Sequence, residues 1–353
     1  MRLEKRSQSS ALALVLAPVG AVLFMLAVGA LLVLWAGAPV GQTYGLLLQG
    51  GFGSVFALSE TLTRAIPLML TGLAATVAFK ARLFNIGAEG QLYVGALAAV
   101  AVGGLHGGTG FDLPPALLFG LMMLAAALAG ALLLLGPALL KAKLGVDEVV
   151  TTLLLNFIVL LFVSLMLDGP MKDPTAMGWP QSVALRDDME LAKLIPQTRV
   201  HTGLLWACGL AVALWVLMKH TVLGFDIRAV GANPRAAAFA GVPVTRTVVA
   251  VAMLSGALAG LAGAIEVAGR TSYLTLDMSP GYGYSGIVIA MLAALHPLGV
   301  VLASVFVAGV LVGADSMSRA VGVPTFIADV IVATSLLSVL VATLLTQYRV
   351  RWQ

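Results

Sequence analysis

The chain has 353 residues, of which 60% are apolar and only 10% charged, and its mean hydropathy of +1.03 lies far outside the range of water-soluble domains. A fully soluble protein is excluded, and apolar runs recur along the whole length, so no large soluble domain fits between them. The formal net charge of +4 marks helix ends facing the cytoplasm rather than a nucleic-acid partner.

The composition predicts an all-α polytopic membrane protein, a single transmembrane domain over 1–353. Hydropathy and the Gly, Pro and charge breaks give ten spans, at 11–36, 58–79, 88–104, 115–140, 146–167, 203–219, 247–268, 284–296, 299–314 and 325–346. The first follows Arg2, Lys5 and Arg6 and is too long for the core of a cleaved signal peptide, so it reads as a retained helix. The eighth and ninth are separated only by His296-Pro297. With the N-terminus inside, 13 Lys and Arg residues fall on cytoplasmic segments and seven outside, four of the seven in the long outer loop 168–202. This asymmetry places both termini in the cytoplasm. Segments 37–57 and 105–114 carry no Lys or Arg and read as outer loops.

The stretch Pro67 to Phe79, PLMLTGLAATVAF, echoes Val251 to Ala264, VAMLSGALAGLAGA. The first runs inward on the second span and the other outward on the seventh, which makes spans 2–5 and 7–10 two inverted four-helix blocks. Chance likeness between Gly/Ala-rich packing faces gives the same echo.

Ionisable groups at membrane depth need partners. Glu60 with Arg64, Glu266 with Arg270 and Asp315 with Arg319 have them at i, i+4. Glu89 does not. It lies in LFNIGAEGQLY, Leu83 to Tyr93, where Gly87 and Gly90 permit unwound backbone beside Asn85, Gln91 and Tyr93. Such a break lines a substrate route or forms a packed hinge. A matching break, SPGYGYSGIVIA from Ser279 to Ala290, carries Tyr282 and Tyr284, and Asn156 sits midway along the fifth span. These seven residues, Asn85, Glu89, Gln91, Tyr93, Asn156, Tyr282 and Tyr284, are the substrate-path candidates. Cys208 is alone and the four histidines are scattered at 106, 201, 220 and 296, so neither a disulfide nor a metal site is expected.

The inner segment 223–246 is not a span. Asn233 can cap a helix, Pro234 suits its first position, and Gly241 can end it before Pro243. A helix of about two turns presenting Arg235 and Phe239 is marginal in water unless something packs on it. Either a protein groove or anionic lipid would serve, and the alanine-rich apolar side favours the groove. The chain has no G-x-x-x-x-G-K-[ST] loop, so ATP acts, if at all, on another subunit.

Four stretches together, Leu70 to Ala99, Asp147 to Ile158, Gly224 to Val242 and Ser255 to Gly269, resemble the permeases of ATP-binding-cassette importers in the branched-chain amino acid and ribose superfamily. The resemblance runs from about 45 to 345 and is closest to the nucleoside and simple-sugar branch. It implies a non-enzymatic permease subunit in a bacterial inner membrane, paired with a second permease as a heterodimer. An ABC ATPase holding ATP and Mg and an extracytoplasmic substrate-binding protein complete the expected assembly, with no cofactor on this chain itself. Arg228, Gly231, Asn233, Pro234, Arg235, Ala237, Phe239 and Gly241 are then the ATPase-coupling residues. Loop 168–202 would meet the binding protein. Nucleosides fit the branch best, simple sugars such as ribose or galactose come next, and a secondary transporter working without ATP remains a third reading.

Overall fold

The computed structural model describes residues 2–5, 23–24, 26–104, 113–322, 348–351 and the single or paired positions 330, 333–334, 337–338 and 341. Half of the expected first span, most of the tenth, and residues 105–112 of loop 105–114 lie outside the described residues. The helices are α1 (Leu26–Trp35), α2 (Val40–Phe52), α3 (Val55–Lys80), α4 (Ala88–Gly103), α5 (Pro115–Leu144), α6 (Glu148–Asp168), α7 (Gly203–His220), α8 (Val222–Ala232), α9 (Pro234–Phe239), α10 (Val244–Glu266), α11 (Tyr282–Leu292) and α12 (Pro297–Val321). Arg2–Lys5 pairs antiparallel with Tyr348–Arg351. Among the described residues six helices are long and apolar enough to cross a membrane, or seven if α1 and α2 form one bent span.

Two compact units make up the chain, Met1–Leu62 with Val305–Gln353, and Thr63–Ser304. In the first, α1 and α2 meet at 116°. Segment 37–57, expected as an outer loop, therefore holds a helix. Its four glycines and two glutamines lower the hydropathy that would reveal it, and two of those glycines, Gly50 and Gly51, are the point of contact: a Cβ on Gly51 would strike the Gly309 backbone, and one on Gly313 the Leu47 carbonyl. Backbones approach this closely only where side chains are absent. Val33, Ala38, Ala314 and Met317 are buried together beside that contact, and the Thr61 hydroxyl donates to the Gly51 carbonyl at 2.8 Å.

The second unit is built on α4, α5 and α10. Gly95 faces the Gly260 backbone, Gly130 faces Gly256 and Gly260, and Gly263 faces the Leu92 carbonyl. The small residues of the SGALAGLAGA stretch therefore do pack helices. Over its most apolar 18 residues helix α3 is 83% buried, whereas α6 is 22% buried. An apolar helix that buries so little turns its side chains to lipid or to another protein.

Two of the expected spans are short. Helix α4 has 16 residues, about 24 Å, and α11 has 11, about 16 Å, against a hydrocarbon core of about 30 Å. The chain does leave the helix between α11 and α12: Ala294 and Leu295 take positive φ, and the His296 Nδ1 accepts from the Gly299 N–H to start α12. Of the expected ion pairs, Glu266 and Arg270 are joined.

Loop 168–202 lies along the end of α10. The Leu185 and Leu191 N–H groups donate to the Ser272 and Ala268 carbonyls, at 2.7 and 2.8 Å, and Leu185, Met189, Val200 and His201 are buried. The charged side chains of Asp187, Asp188, Glu190 and Lys193 remain exposed. The His201 ring sits against the backbones of Gly203 and Gly269, accepts from the Gly203 N–H at its Nδ1, and is held by burial at a pKa of about 4.

Two outcomes follow from this packing. Gly260→Leu should lower the stability of the detergent-purified protein by about 1–3 kcal/mol or more, through overpacking. Gly136→Leu, where nothing lies within 4 Å of a built Cβ, should leave the melting temperature near wild type. For His201 the folded state binds the proton less readily than the unfolded chain. Its contribution is therefore complete above about pH 6.5 and is lost as pH falls toward 4, up to about 3 kcal/mol. Melting temperatures measured from pH 7.5 to 5 should fall more steeply in the wild type than in His201→Gln.

Candidate functional site

Helix α3 ends at Lys80, and the chain turns at Arg82, whose φ is +55. From Leu83 to Gly87 the backbone is not helical, so its amides and carbonyls need partners from elsewhere. The Phe84 N–H donates to Glu148 Oε1 at 3.0 Å and the Ile86 N–H to Thr152 Oγ1 at 3.2 Å. Asn156 serves both sides of the break: its Nδ2 donates to the Ile86 carbonyl at 2.9 Å, and its Oδ1 accepts from the Gly90 N–H at 2.8 Å. All three acceptors lie on one face of α6, at 148, 152 and 156, the i, i+4, i+8 spacing of a helix. Asp147 caps that helix by accepting from the Val149 N–H at 2.8 Å.

Asn85 and Gln91 form a reciprocal amide pair. Asn85 Nδ2 donates to Gln91 Oε1, and Gln91 Nε2 to Asn85 Oδ1, both at 2.9 Å. Asn85 Oδ1 also accepts from the Gly87 N–H. Its Nδ2 reaches the Ser255 hydroxyl at 3.1 Å, and that hydroxyl donates to the Ala74 carbonyl at 2.8 Å. The amides at the break are thus engaged rather than free. Residues 85 and 91 are 0% and 1% exposed.

The second break is tied to the first. Gly281 has φ +85 at the N-cap of α11, the Gly283 N–H donates to Glu89 Oε2 at 2.6 Å, and the Ser279 hydroxyl accepts from the Tyr282 N–H at 2.9 Å. A carboxylate at a helix N-terminus satisfies an orphan donor and complements the helix dipole. Gly283 has to be glycine here, because a Cβ would meet the Glu89 backbone. Tyr93 donates to the Leu276 carbonyl, and its hydroxyl accepts from the Ser279 N–H. Thr71 Oγ1 donates to the Tyr282 carbonyl at 3.0 Å. The Tyr282 hydroxyl accepts from Arg270 at 3.1 Å, and Asn156 Nδ2 reaches the Tyr284 hydroxyl at 3.1 Å. All seven substrate-path candidates therefore gather around the two breaks. Six are buried, and Tyr284 is 39% exposed.

Sequence reasoning missed Ser255, Thr152, Glu148 and Ser279 as members of this cluster. Ser255 had a signal, since it stands where Thr71 stands in the MLTG/MLSG echo, and each of the two braces the other helix's neighbouring break. Thr152 and Glu148 could have been found from Asn156 by helical spacing.

The 223–246 segment contains two helices where one was expected. Thr221 starts α8 by accepting from the Gly224 N–H, and Gly231 lies so close to the Lys80 carbonyl that a Cβ there is excluded. Arg228 donates to the Met218 carbonyl at the end of α7. Asn233 caps α9 with bonds from the Arg235 and Ala236 N–H groups at 3.0 and 3.2 Å. Pro234 is its first residue, and Gly241, at φ +86, ends it as the Val242 N–H returns to the Ala237 carbonyl. This helix is shorter than expected, six residues. Ala237 faces inward, Arg235 is exposed, and Phe239 is 96% exposed.

A family model described as the permease component of the branched-chain amino acid transport system matches residues 57–346. The chain belongs to that permease family. It is 36% identical to the guanosine ABC transporter permease protein NupP of Bacillus subtilis, over 92% of each chain. It is 39% identical to the glucose ABC transporter permease protein TsgB13 of Haloferax volcanii, over 94% of this chain and 89% of that one. With the nucleoside ABC transporter permease protein NupB of Lactococcus lactis it shares 30%, over 90% and 88%. No solved structure matches. The protein is a membrane-embedded permease subunit of an ABC transport system.

In this permease Glu89→Ala should remove the cap from α11 at a cost of about 1–2 kcal/mol. Glu89→Gln keeps an acceptor for the Gly283 N–H and should restore part of it. Thermal unfolding of the purified variants measures both.

Proposed function

We propose that this permease is the membrane subunit of an ATP-driven importer of nucleosides. Two of the three relatives named above carry nucleoside or guanosine in their names and the third glucose. Simple sugars are therefore the second reading. The observation that carries the ATP-driven reading is the Asn233-capped helix α9. Six residues make too short a helix to stand unsupported, and its one aromatic side chain is almost wholly uncovered.

In this reading α8 and α9 dock in a groove of an ABC ATPase that binds ATP and Mg, with Phe239 and Arg235 toward the partner and Ala237 toward the permease. Gly231 and Arg228 fix α8 against α3 and α7. A second permease completes a heterodimer, and an extracytoplasmic binding protein meets the charged face of loop 168–202. The substrate route passes Asn156 and Tyr284, whose ring is the exposed member of the site. Ten crossings in the inner membrane, both ends cytoplasmic, are supported by the basic-residue asymmetry and by the side-by-side pairing of Arg2–Lys5 with Tyr348–Arg351. Two inverted blocks are supported by the matching roles of Thr71 and Ser255.

Reconstituted with its ATPase, second permease and receptor, the complex should take up labelled nucleoside only with ATP. Uptake without ATP would favour the secondary-transporter reading, and uptake of hexoses alone the sugar reading. Phe239→Ala removes a side chain whose burial is worth about 1.5–3 kcal/mol. Co-purification of the ATPase should weaken by roughly tenfold to a hundredfold.

A further inference from the structure

Beyond α10 the chain makes a π-helical turn, Val267–Thr271, a widening that recurs at functional sites. It changes which side chains meet. Five residues apart on an α-helix, two side chains point to different sides. The i→i+5 bonding of a π turn brings Thr271 back over Glu266. Both present unused hydrogen-bonding atoms: Glu266 Oε2 and Thr271 Oγ1 are buried and have no hydrogen-bond partner among the described residues. The other carboxylate oxygen of Glu266 accepts from Arg270, and Arg270 also donates to the Tyr282 hydroxyl. Arg64 acts on Glu266 electrostatically as well.

A fully buried carboxylate with one oxygen unused is an expensive arrangement for membrane depth, and buried polar atoms without partners call for a specific occupant. The donors and acceptors define it. An oxygen that only accepts and a hydroxyl that does both, beside a guanidinium that only donates, match two neighbouring hydroxyl groups. We propose that Glu266, Thr271 and Arg270 form a subsite for the vicinal hydroxyls of a sugar ring. The inference rests on the import reading above and deepens it, because a ribonucleoside and glucose share that feature and little else. The subsite lies just beneath the surface: Val267 and Ala268 are buried, Thr271 and Ser272 half-buried, and Tyr273 exposed. Carboxylate and hydroxyl accept from the cargo hydroxyls while Arg270 donates to their oxygens. Tyr282, already one of the path residues, connects the subsite to the α11 break.

The test uses the whole complex in proteoliposomes, with each cargo saturating the receptor so that receptor choice does not enter. Uridine is compared with 2′,3′-dideoxyuridine in the wild type, in Glu266→Gln and in Thr271→Val. The wild type should move uridine about tenfold better, as expected for loss of charge-assisted hydrogen bonds. In Glu266→Gln uridine uptake should fall about tenfold while the dideoxy analogue changes less than twofold. Equal losses on both cargoes, or none, would overturn the subsite and leave a bound water or simple packing. Should Glu266→Gln fail to assemble, Thr271→Val decides, since it keeps the ion pair; it should reduce the preference by about threefold, and an unchanged preference overturns the proposal. If uridine is not carried at all, the nucleoside reading fails by itself, and glucose against its 2-deoxy and 3-deoxy analogues gives the same comparison. A cargo without vicinal hydroxyls would overturn both.

Discussion

Backbone that leaves the helix inside the packed protein must find its hydrogen bonds there, because no water reaches it. That constraint governs the segment from Leu83 to Gly90. Three side chains on one face of α6, Glu148, Thr152 and Asn156, accept from its N–H groups, and Asn85, held by Gln91, accepts from the Gly87 N–H. The cost of an unpaired buried group, about 1–3 kcal/mol each, makes this set of partners hard to alter one at a time.

The two breaks are braced across the unit rather than locally. Ser255 on α10 meets the first break through Asn85, Thr71 on α3 meets the second through the Tyr282 carbonyl, and Glu89 at the start of α4 caps α11. A movement of either short helix therefore loads hydrogen bonds belonging to the other. Such an arrangement suits a transport protein, in which rearrangement at one end of a route has to be registered at the other. It also explains why so many polar residues are wholly buried: their work is to join the short helices to their neighbours.

Around this polar centre the helices are held by close backbone contact. Gly95, Gly130, Gly256 and Gly260 let α4, α5 and α10 approach without side chains between them, which is the usual device where lipid removes the hydrophobic difference between inside and outside. Helix α8 uses the same device at Gly231. Beside it, α9 is too short to be stable alone and leaves its phenylalanine uncovered, so its order depends on the cap at Asn233 and on the fold beneath it.

The membrane class, most helix positions, the break at Asn85 to Gly87, the split at His296-Pro297 and the cap at Asn233 were legible in the amino-acid order. Each is set by hydropathy or by a local backbone preference. Helix α2 was not, because its glycines hide it from hydropathy, and two of them, Gly50 and Gly51, take their meaning from Gly313 and Gly309, which lie some 260 positions away. Helix α8 was not, since Gly224 and Gly231 look like helix breakers until the backbones of α7 and α3 are seen against them. Nor could the order of residues show that Glu89, which lacks a partner on its own helix, caps α11 194 residues away, or that Glu266 keeps an oxygen unused. Local propensity is written in neighbouring residues, whereas the partner of a buried polar group is decided only when the helices pack.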